Sequence, residues 1–378
     1  MKSVENTDRK VALCTGPPGN GRDVYADSVV KLAKNRGRII EKFSVSDSIL
    51  EMARKRGYQP APESLVDLSF YNPSLMNELR DNAMKEIAEV VQNSANNCII
   101  CTPSILESNG LMNAFERPHL ELLRPNFIVV IVDDILRVKE RLRNDRNRKG
   151  REYSLETIAQ HRVEAIDRVW KMAHDFSPPI PCHIIALEHD PMVLFDLIFT
   201  SKPKAYLSFA ITGETEDSLS TVFDFARKIS EWYIVFNPMT LYDWNVVSTW
   251  KKLVDEASET GQPIREKFEA TIRYRDGART YVCDSAEIRR IVATVRKQIV
   301  SRDHKMISAA DVVVVYHPRK EISAGVMCEM VHGRREVKGV YAYYPYEPSP
   351  WFEEYANEVS DNESDFLESL RRIGEKAR

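Results

Sequence analysis

Long apolar runs and a surplus of one charge are both missing from this chain of 378 residues. No stretch approaches the roughly 18 apolar residues that a membrane helix needs, and the opening MKSVENTDRK has no signal-peptide apolar region. Lys and Arg number 53 against 56 Asp and Glu, so the net charge is only −3, which argues against a nucleic-acid partner. The sequence therefore predicts a cytoplasmic globular protein that binds neither membranes nor nucleic acid.

Cysteine is scarce as well, because six in a chain of this length do not make a disulfide framework. Cys98 and Cys101 in NNCIICTP have the spacing of a metal or redox pair, but no second pair or histidine cluster accompanies them. They lie in an apolar, strand-like run. We expect buried strand thiols and no metal site.

Short apolar runs alternate with longer amphipathic stretches in the first half of the chain. Buried strands are predicted at 11–15, 97–101, 127–132 and 182–187, with helices between them at about 22–36, 74–95, 134–146 and 154–174. Strand and helix repeated in this order imply the α/β class, with a parallel sheet covered by helices on both faces.

A second α/β series follows the TSKPK stretch at 200–204, which is typical of a seam between domains. Strands are predicted at 205–211, 233–238, 311–318 and 339–345, with a helix over about 215–231 and a charged surface helix at the C-terminal end. The sequence therefore predicts two α/β domains, 1–202 and 203–378. The second carries a charged insertion at about 245–302, which ends in an amphipathic stretch at 284–300.

The loop after the first strand reads GPPGNGRD and is almost a phosphate-binding loop. Gly16 and Gly21 hold the glycine positions of G-x-x-x-x-G-K-[ST]. Arg22 stands where the lysine belongs, and Asp23 stands where the Mg²⁺-binding hydroxyl belongs. A strand before the loop and a helix after it are the context in which backbone N–H groups face phosphate oxygens. A plain turn between strand and helix is the alternative interpretation.

Residues 9 to about 200 resemble the archaeal-type adenylate kinase family of P-loop nucleoside monophosphate kinases. The resemblance runs through KVALCTGPPGNGRDVYADSVVKLAKNRG, KFSVSDSILEMARKRG, CIICTPSILESNGLMNAFERPHLELLRPNFIVVIV and RLRNDRNRKGREYSLETIAQHRVEAIDR. It implies a nucleotide site with ATP and Mg²⁺ as its ligands. It also implies an arginine-rich lid at Arg137, Arg141, Arg143, Arg146 and Arg148. The alternative for any one of these arginines is a solvated helix face.

The departures from that family fall on the chemistry. Arg22 is planar and bulkier than lysine, and Asp23 puts a carboxylate beside the phosphates. The stretch ESLVDLSF (63–70) has no basic residue where the family holds the acceptor phosphate. We therefore expect nucleotide binding or sensing with kinase activity lost. The predicted nucleotide-binding residues are Gly16, Gly19, Gly21, Arg22, Asp23, Arg141 and Arg146.

The most informative stretch of the second domain is RDHKMISAADVVVVYHPRKEISAGVMCEMVHG at 302–333. A buried strand is followed by Ser-Ala-Gly at a helix start, and Glu329 lies one turn further on. Small residues there let a ligand approach the backbone, and the carboxyl ends of the strands are where open α/β sheets bind ligands. A carboxylate that merely interacts with the helix dipole is the alternative for Glu329. His304 and His317 are expected to be unpaired, structural or solvated residues.

This stretch resembles the nucleoside 2-deoxyribosyltransferase superfamily, and particularly its deoxynucleoside monophosphate N-glycosidase branch, with a flavodoxin-like fold. Its S-x-G-x-x-x-E motif is matched at Ser323, Gly325 and Glu329, and its upstream acid at Asp303. The family's opening strand and loop are matched in YLSFAITG (206–213). The resemblance implies the following roles: Glu329 as nucleophile, Asp303 as acid or orienting group, Tyr206 as support for Glu329, and Ser323, Gly325 and Gly213 as substrate-binding residues.

Two features of that first loop depart from the family. Phe209 and Ala210 replace its small residues, so that Phe209 is expected to fill part of the pocket. Thr212 replaces its arginine, so that fewer groups are expected to bind the phosphate than in the nucleotide-hydrolysing members.

The favoured interpretation is a nucleotide-processing protein whose second domain cleaves or transfers an N-glycosidic bond of a nucleoside or nucleotide. No cofactor is required for that reaction. The resemblance also implies a homodimer formed through this domain. Two alternatives stay open, namely a working nucleoside monophosphate kinase with an accessory domain, and a nucleotide-responsive binding protein with no catalytic activity.

Overall fold

The computed structural model describes residues 9–58, 72–107, 110–145, 151–210, 216–336 and 338–377. The strands are, in chain order, β1 (Val11–Thr15), β2 (Ile40–Ser44), β3 (Asn97–Cys101), β4 (Ile105–Glu107), β5 (Leu111–Asn113), β6 (Phe127–Val132), β7 (Cys182–Ala186), β8 (Lys204–Ser208), β9 (Ile234–Phe236), β10 (Lys267–Tyr274), β11 (Gly277–Asp284), β12 (Val312–Tyr316), β13 (Gly339–Tyr343) and β14 (Glu358–Ser360).

The α-helices are, in the same order, α1 (Arg22–Asn35), α2 (Val45–Lys55), α3 (Pro73–Asn93), α4 (Arg117–Leu123), α5 (Ile135–Asn144), α6 (Leu155–His174), α7 (Met192–Phe199), α8 (Glu216–Ile229), α9 (Asp243–Thr260), α10 (Ser285–Ala309), α11 (Ala324–Arg335), α12 (Pro350–Glu354) and α13 (Glu363–Lys376). A 3₁₀ turn follows β9 at Pro238–Thr240. None of the helices in these described ranges is both long and apolar enough to cross a bilayer.

The chain folds into two compact units, each built from two separate segments. Unit 1 comprises residues 1–188 and 241–298, and unit 2 comprises residues 189–240 and 299–378. The sequence predicted a boundary between 202 and 203 and placed the charged insertion at 245–302 in the second domain. The structure instead groups 241–298 with the first unit.

Buried polar contacts explain that regrouping. Within unit 1, Asp243 of α9 pairs with Arg162 of α6 at 2.5 Å and accepts the Ile135 N–H at 3.1 Å. Glu287 of α10 pairs with Lys139 of α5 at 2.7 Å. Each contact joins residues that are far apart in the chain, so local sequence patterns carry no sign of them.

Unit 1 is organised around a five-stranded parallel sheet in the order β2-β3-β1-β6-β7. Every residue of β1, β6 and β7 is buried. Apolar strands of this kind need cover on both faces, and α1 and α6 are among the helices that pack on the sheet. Cys98 and Cys101 are buried free thiols in β3, as the sequence predicted.

Unit 2 also has a five-stranded parallel sheet, in the order β14-β13-β12-β8-β9. Numbered within the unit, this is 2-1-3-4-5, the flavodoxin-like order that the sequence resemblance implied. Val312, Val314 and Tyr316 of β12 pack with Phe225 of α8 and Phe366 of α13. Phe209 joins the same apolar core, and whether it also fills part of the pocket stays a prediction.

Helices cover both faces of this second sheet. Val313 of β12 points away from the core shared with α8 and α13, because alternate strand residues face opposite sides. It meets α11 at Gly333, where a Cβ atom would lie 2.7 Å from the Val313 side chain. The order of the strands reverses between β8 and β12, and this position is the topological switch point of the sheet. Helix α11 connects β12 to β13.

Candidate functional site

The glycine-rich loop of unit 1 connects β1 to α1 and has the geometry of a tight phosphate-loop turn. Gly21 precedes α1 in the left-handed conformation, with φ 79°. The Asn20 amide donates to the Ile131 carbonyl of β6 at 2.5 Å. The Ser104 N–H, which follows β3, donates to the Gly16 carbonyl at 3.0 Å. The loop is therefore fixed between the carboxyl ends of the two strands that flank β1.

Helix α5 lies directly against this loop. The Arg141 guanidinium donates to the Gly19 carbonyl at 2.7 Å. A Cβ atom at Gly19 would come within 2.9 Å of Leu142, and one at Gly21 within 2.7 Å of Arg141. Glycine is needed at both positions because the left-handed backbone and the close approach of α5 each disfavour a side chain.

The charged side chains beside the loop pair with one another. Arg22 contacts the Asp23 carboxylate at 3.1 Å, and Lys42 of β2 lies 3.8 Å from the same carboxylate. Lys42 also pairs with Asp27 at 2.7 Å. The cations that would neutralise a bound phosphate are thus already partnered by carboxylates of α1. A phosphate that enters this loop has to compete with Asp23.

The arginine-rich helix does not form a row of solvated phosphate clamps. Arg137 is buried between Asp133, at 3.0 Å, and Glu188, at 2.6 Å. Arg141 pairs with Asp133, and its removal from water lowers the pKa of its guanidinium to about 10. Arg137 is therefore not the solvated residue of the alternative interpretation, and the phosphate-clamp role of Arg141 stays a prediction.

The remaining arginines of the predicted lid divide into two groups. Arg143 is exposed on α5. Arg146 and Arg148 lie outside the described residues, as does the 63–70 stretch.

Some polar groups next to the loop have unused hydrogen-bonding capacity. The hydroxyl groups of Thr15 and Ser104 and the Arg22 Nε atom are buried and, within the part of the chain that the structure describes, have no hydrogen-bond partner. Buried polar atoms usually find a partner. Thr15 ends β1 and Ser104 follows β3, so both lie at the carboxyl end of this parallel pair, where a polar ligand seated at the loop would find donors.

The candidate site of unit 2 centres on Glu329, in the second turn of α11. Tyr206 of β8 donates its hydroxyl to Glu329 Oε1 at 2.9 Å, and Ser208 donates to Oε2 at 2.5 Å. Both carboxylate oxygens therefore have a fixed partner from the strand. Glu329 is only partly buried, so a ligand can still reach it.

A second carboxylate, Asp303 of α10, lies close enough to affect Glu329 electrostatically. Removal from water raises the pKa of Glu329 to about 8, and the negative charge of Asp303 adds to that rise. Burial raises the pKa of Asp303, and the adjacent Arg302 opposes the change. The buried Tyr206 hydroxyl has a pKa well above its ordinary value, because of burial first and the two carboxylates next. It is therefore a neutral donor.

The helix start at Ser323 and Gly325 is open, as the sequence predicted. Ser323 precedes α11, and its side chain makes no capping hydrogen bond. Gly325 is exposed, and a Cβ atom there would meet only the Ser323 hydroxyl, at 3.6 Å. Ser323 Oγ and the first N–H groups of α11 are available to a ligand. Gly213, the third predicted substrate-binding residue, lies outside the described residues.

The sequence profile of one protein family, the AAA domain, matches residues 15–159 of the chain. That range begins at the last residue of β1 and covers the glycine-rich loop, α5 and the start of α6. Unit 1 has a P-loop kinase-like fold. Such a domain is typical of nucleotide binding or phosphoryl transfer. Among curated proteins, none matches the chain significantly.

Two residues of the unit 2 site were missed from the sequence. Ser208 lies two positions after Tyr206, and alternation along a strand puts both on one face, so this signal was present. Arg302 pairs with its sequence neighbour Asp303 at 2.8 Å, a contact that was not expected because adjacent residues of a helix do not normally face each other. The prediction of an unpaired His304 was wrong, because its ring stacks on His332 with 4.1 Å between centroids.

Proposed function

We propose that unit 2 cleaves the N-glycosidic bond of a nucleoside or nucleotide, with Glu329 as the nucleophile. The observation that carries the proposal is the pair of hydrogen bonds to Glu329. Tyr206 and Ser208 each donate to one oxygen of this single, partly accessible carboxylate. This carboxylate, on helix α11, contacts β8 of a flavodoxin-like sheet whose switch point lies between β8 and β12, and open α/β folds bind their ligands at such points. A helix-dipole carboxylate would need no such fixed partners.

The proposed reaction has two displacements. In the first, a Glu329 oxygen attacks the anomeric carbon, the C–N bond breaks with its electron pair, and the base leaves and takes up a proton. In the second, water attacks the same carbon and loses a proton, and the Glu329 carboxylate is released. The sum is substrate plus water giving free base plus free sugar or sugar phosphate. Division into two steps is the usual advantage of covalent catalysis.

The hydrogen bonds to Glu329 match the needs of such a nucleophile. They hold the carboxylate in one orientation, which is worth much of the barrier reduction in an enzyme site. They also favour its charged form against burial and the Asp303 charge, although the pKa stays near 8. The ionised fraction at neutral pH is therefore small, and the reaction should accelerate as the pH rises.

The helix start supports a polar or phosphorylated substrate. Ser323 Oγ and the first N–H groups of α11 precede Glu329 on the same helix. Free N–H groups at a helix start suit the hydroxyl or phosphate oxygens of a substrate bound near the nucleophile. This arrangement supports a 5′-phosphate or sugar hydroxyl as the group bound there.

For unit 1 we propose nucleotide binding without efficient phosphoryl transfer. The P-loop kinase-like fold and the unsatisfied Thr15 and Ser104 hydroxyls support a ligand at the loop. The Arg22–Asp23 pair argues against transfer, because catalysis needs positive charge on the β- and γ-phosphates. A working kinase is the competing possibility, with ATP and Mg²⁺ as its ligands.

A product assay separates these functions. The full chain is incubated with ribo- and deoxyribonucleoside monophosphates, with and without ATP and Mg²⁺, and the products are resolved by chromatography. Release of free base that is lost in Glu329→Gln and kept in Glu336→Gln, an exposed position at the end of the same helix, supports the glycosidase. Addition of a second base as acceptor distinguishes transfer from hydrolysis.

The other outcomes are equally clear. Diphosphate formation would establish the kinase alternative and contradict the role given to Asp23. Tight nucleotide binding with neither product, unchanged in Glu329→Gln, would favour a nucleotide-responsive binding protein.

A further inference from the structure

Arg302 lies beside the candidate nucleophile without touching it. Its Nε and Nη2 atoms donate to Asp303 Oδ1 at 2.9 and 2.8 Å, and Nη2 also donates to the Pro238 carbonyl at 3.2 Å. Arg302 is 7% exposed and Asp303 is 5% exposed. A buried arginine that joins a carboxylate to the backbone of another segment needs an explanation beyond surface charge.

We propose that Arg302 is a positioning residue, which holds Asp303 as the permanently charged carboxylate of the site and leaves Glu329 as the carboxylate whose ionisation limits the reaction. The inference deepens the proposed glycosidase and rests on it. It settles which of the two roles implied for Asp303 applies: Asp303 orients the sugar and does not supply the proton to the departing base.

The geometry of the contact carries the first step. Both Arg302 donors reach Oδ1, and no hydrogen-bond donor among the described residues reaches Oδ2. The Pro238 carbonyl, at the 3₁₀ turn after β9, accepts from the same Nη2 atom and ties the guanidinium to the backbone. The Asp303 carboxylate therefore has one oxygen tied down and one oxygen left to accept a hydrogen bond, such as that of a sugar hydroxyl.

The balance of charge carries the second step. The groups that face Asp303 are Arg302 on its own helix, Tyr206 on β8 and Glu329 on α11. Two carboxylates, one buried and one partly buried, and one guanidinium favour one negative charge on the pair, because two like charges at short range disfavour each other. The hydrogen-bonded ion pair assigns that charge to Asp303. The proton then stays on Glu329 until the pH approaches 8.

Removal of the guanidinium should change the titration of the pair. Without Arg302, both carboxylates keep their protons to higher pH, since a positive charge favours both ionised forms. For Arg302→Gln we expect the acid limb of kcat/KM to move upward by about one pH unit or more. Activity at pH 7 should fall at least tenfold and recover partly at pH 9. Arg302→Lys keeps the positive charge but loses the paired N–H donors of the guanidinium. The acid limb of its kcat/KM profile should therefore stay near that of the wild type, while kcat falls.

Lys202→Gln is the matched control. Lys202 also joins a carboxylate to a backbone carbonyl within unit 2, namely Asp196 at 2.9 Å and the Ser230 oxygen at 3.0 Å. Its loss should leave the pH profile unchanged. An equal fall of activity at every pH in Arg302→Gln, with no shift of the limb, would assign Arg302 a purely structural role and overturn the proposal.

A titration that needs no turnover separates this inference from the proposed reaction. The protein is labelled with ¹³C at the Asp and Glu side-chain carboxyl carbons, and Asp303→Asn and Glu329→Gln assign the two signals. The inference expects Asp303 to stay ionised through pH 6–9 and Glu329 to titrate in that window. Titration of Asp303 there would overturn it. If the wild type releases no base from any substrate, the glycosidase is wrong, and these two signals alone decide the role of Arg302.

Discussion

The Tyr206 hydroxyl donates to Glu329 Oε1 at 2.9 Å across 123 residues of sequence. The contact joins strand β8 to helix α11, two elements that pack in the sheet-and-helix core of unit 2. A carboxylate held in this way does not need to search for its orientation when a substrate arrives. Removal of the Tyr206–Glu329 hydrogen bond is therefore the first test of the proposed site.

Tyr206→Phe should lower kcat by roughly 10- to 100-fold, because a hydrogen bond to a charged group is worth about 1.5–3 kcal/mol. Ser208→Ala should have a similar effect through the other oxygen. KM should change less than kcat, since neither hydroxyl needs to touch the substrate. The measurement is steady-state base release. Tyr233→Phe is the control, because its buried hydroxyl donates to the Leu370 carbonyl and not to Glu329. Equal losses in Tyr206→Phe and Tyr233→Phe would indicate general destabilisation instead.

The pH dependence of the reaction follows from the raised pKa of Glu329. The nucleophile must be ionised, and its pKa is about 8 in the folded chain. We expect kcat/KM to fall about tenfold for each pH unit below 8 and to level off above it. A profile that is flat from pH 5 to pH 9 would contradict the assignment of Glu329 as nucleophile.

The same shift predicts a stability difference that grows with pH. The pKa of Glu329 is higher folded than its ordinary value of 4.5, so its contribution is fully present below pH 4.5 and is lost as the pH rises to about 8. Glu329→Gln has no such loss. The Tm of Glu329→Gln minus the Tm of the wild type should therefore increase between pH 5 and pH 8. Thermal unfolding followed by circular dichroism measures this difference. A gap that narrows over this range would show that the folded chain favours the charged form.

Most of the architecture follows from local patterns, and the exceptions have a common cause. The apolar runs of β1, β6 and β12 predicted buried parallel strands, and the structure confirms them. The hairpin β10–β11 was missed because its residues were interpreted only as charged. Its first strand alternates exposed and buried positions, and Asp276-Gly277 is a hairpin turn signal.

The candidate sites show the same limit. The motif residues Ser323, Gly325 and Glu329 could be found from spacing along one helix. Arg302 could not be found in this way, because its proposed role depends on a hydrogen bond to the carbonyl of Pro238, which is distant in the chain. The contacts of Arg141 could not be predicted for the same reason, since Asp133 and the Gly19 carbonyl meet it only after folding.

At the phosphate loop, a substitution is expected to strengthen ligand binding rather than weaken it. Asp23→Asn removes the carboxylate that pairs with Arg22 and approaches Lys42. Both cations then become available to a phosphate, and we expect ATP to bind on the order of tenfold more tightly at low salt, with the gain shrinking as salt screens it. Isothermal titration calorimetry gives the Kd. Asp27→Asn is the control, because it removes the same charge from α1 but only the Lys42 partner. Unchanged affinity in Asp23→Asn would show that Asp23 does not oppose phosphate at this loop.

Asp243 should be essential to the stability of unit 1. It pairs with the buried Arg162 and caps the Ile135 N–H, the first of α5. Burial raises the pKa of Asp134, and the charge of Asp243 adds to that rise. Asp243→Ala leaves Arg162 buried without this partner, so we expect a loss of about 3–5 kcal/mol in the free energy of unfolding. Urea denaturation of the full chain measures it as an earlier first transition.

Glu51→Ala is the comparison for that loss, because it breaks an exposed pair with Lys55 in the same unit. Exposed ion pairs contribute little to stability because water and salt screen them, so this variant should unfold almost as the wild type does. Similar midpoints for Asp243→Ala and Glu51→Ala would mean that residues 241–298 are not integral to unit 1. A large difference would show that the charged segment, which looks like an insertion of the second domain along the sequence, stabilises the kinase-like fold of the first.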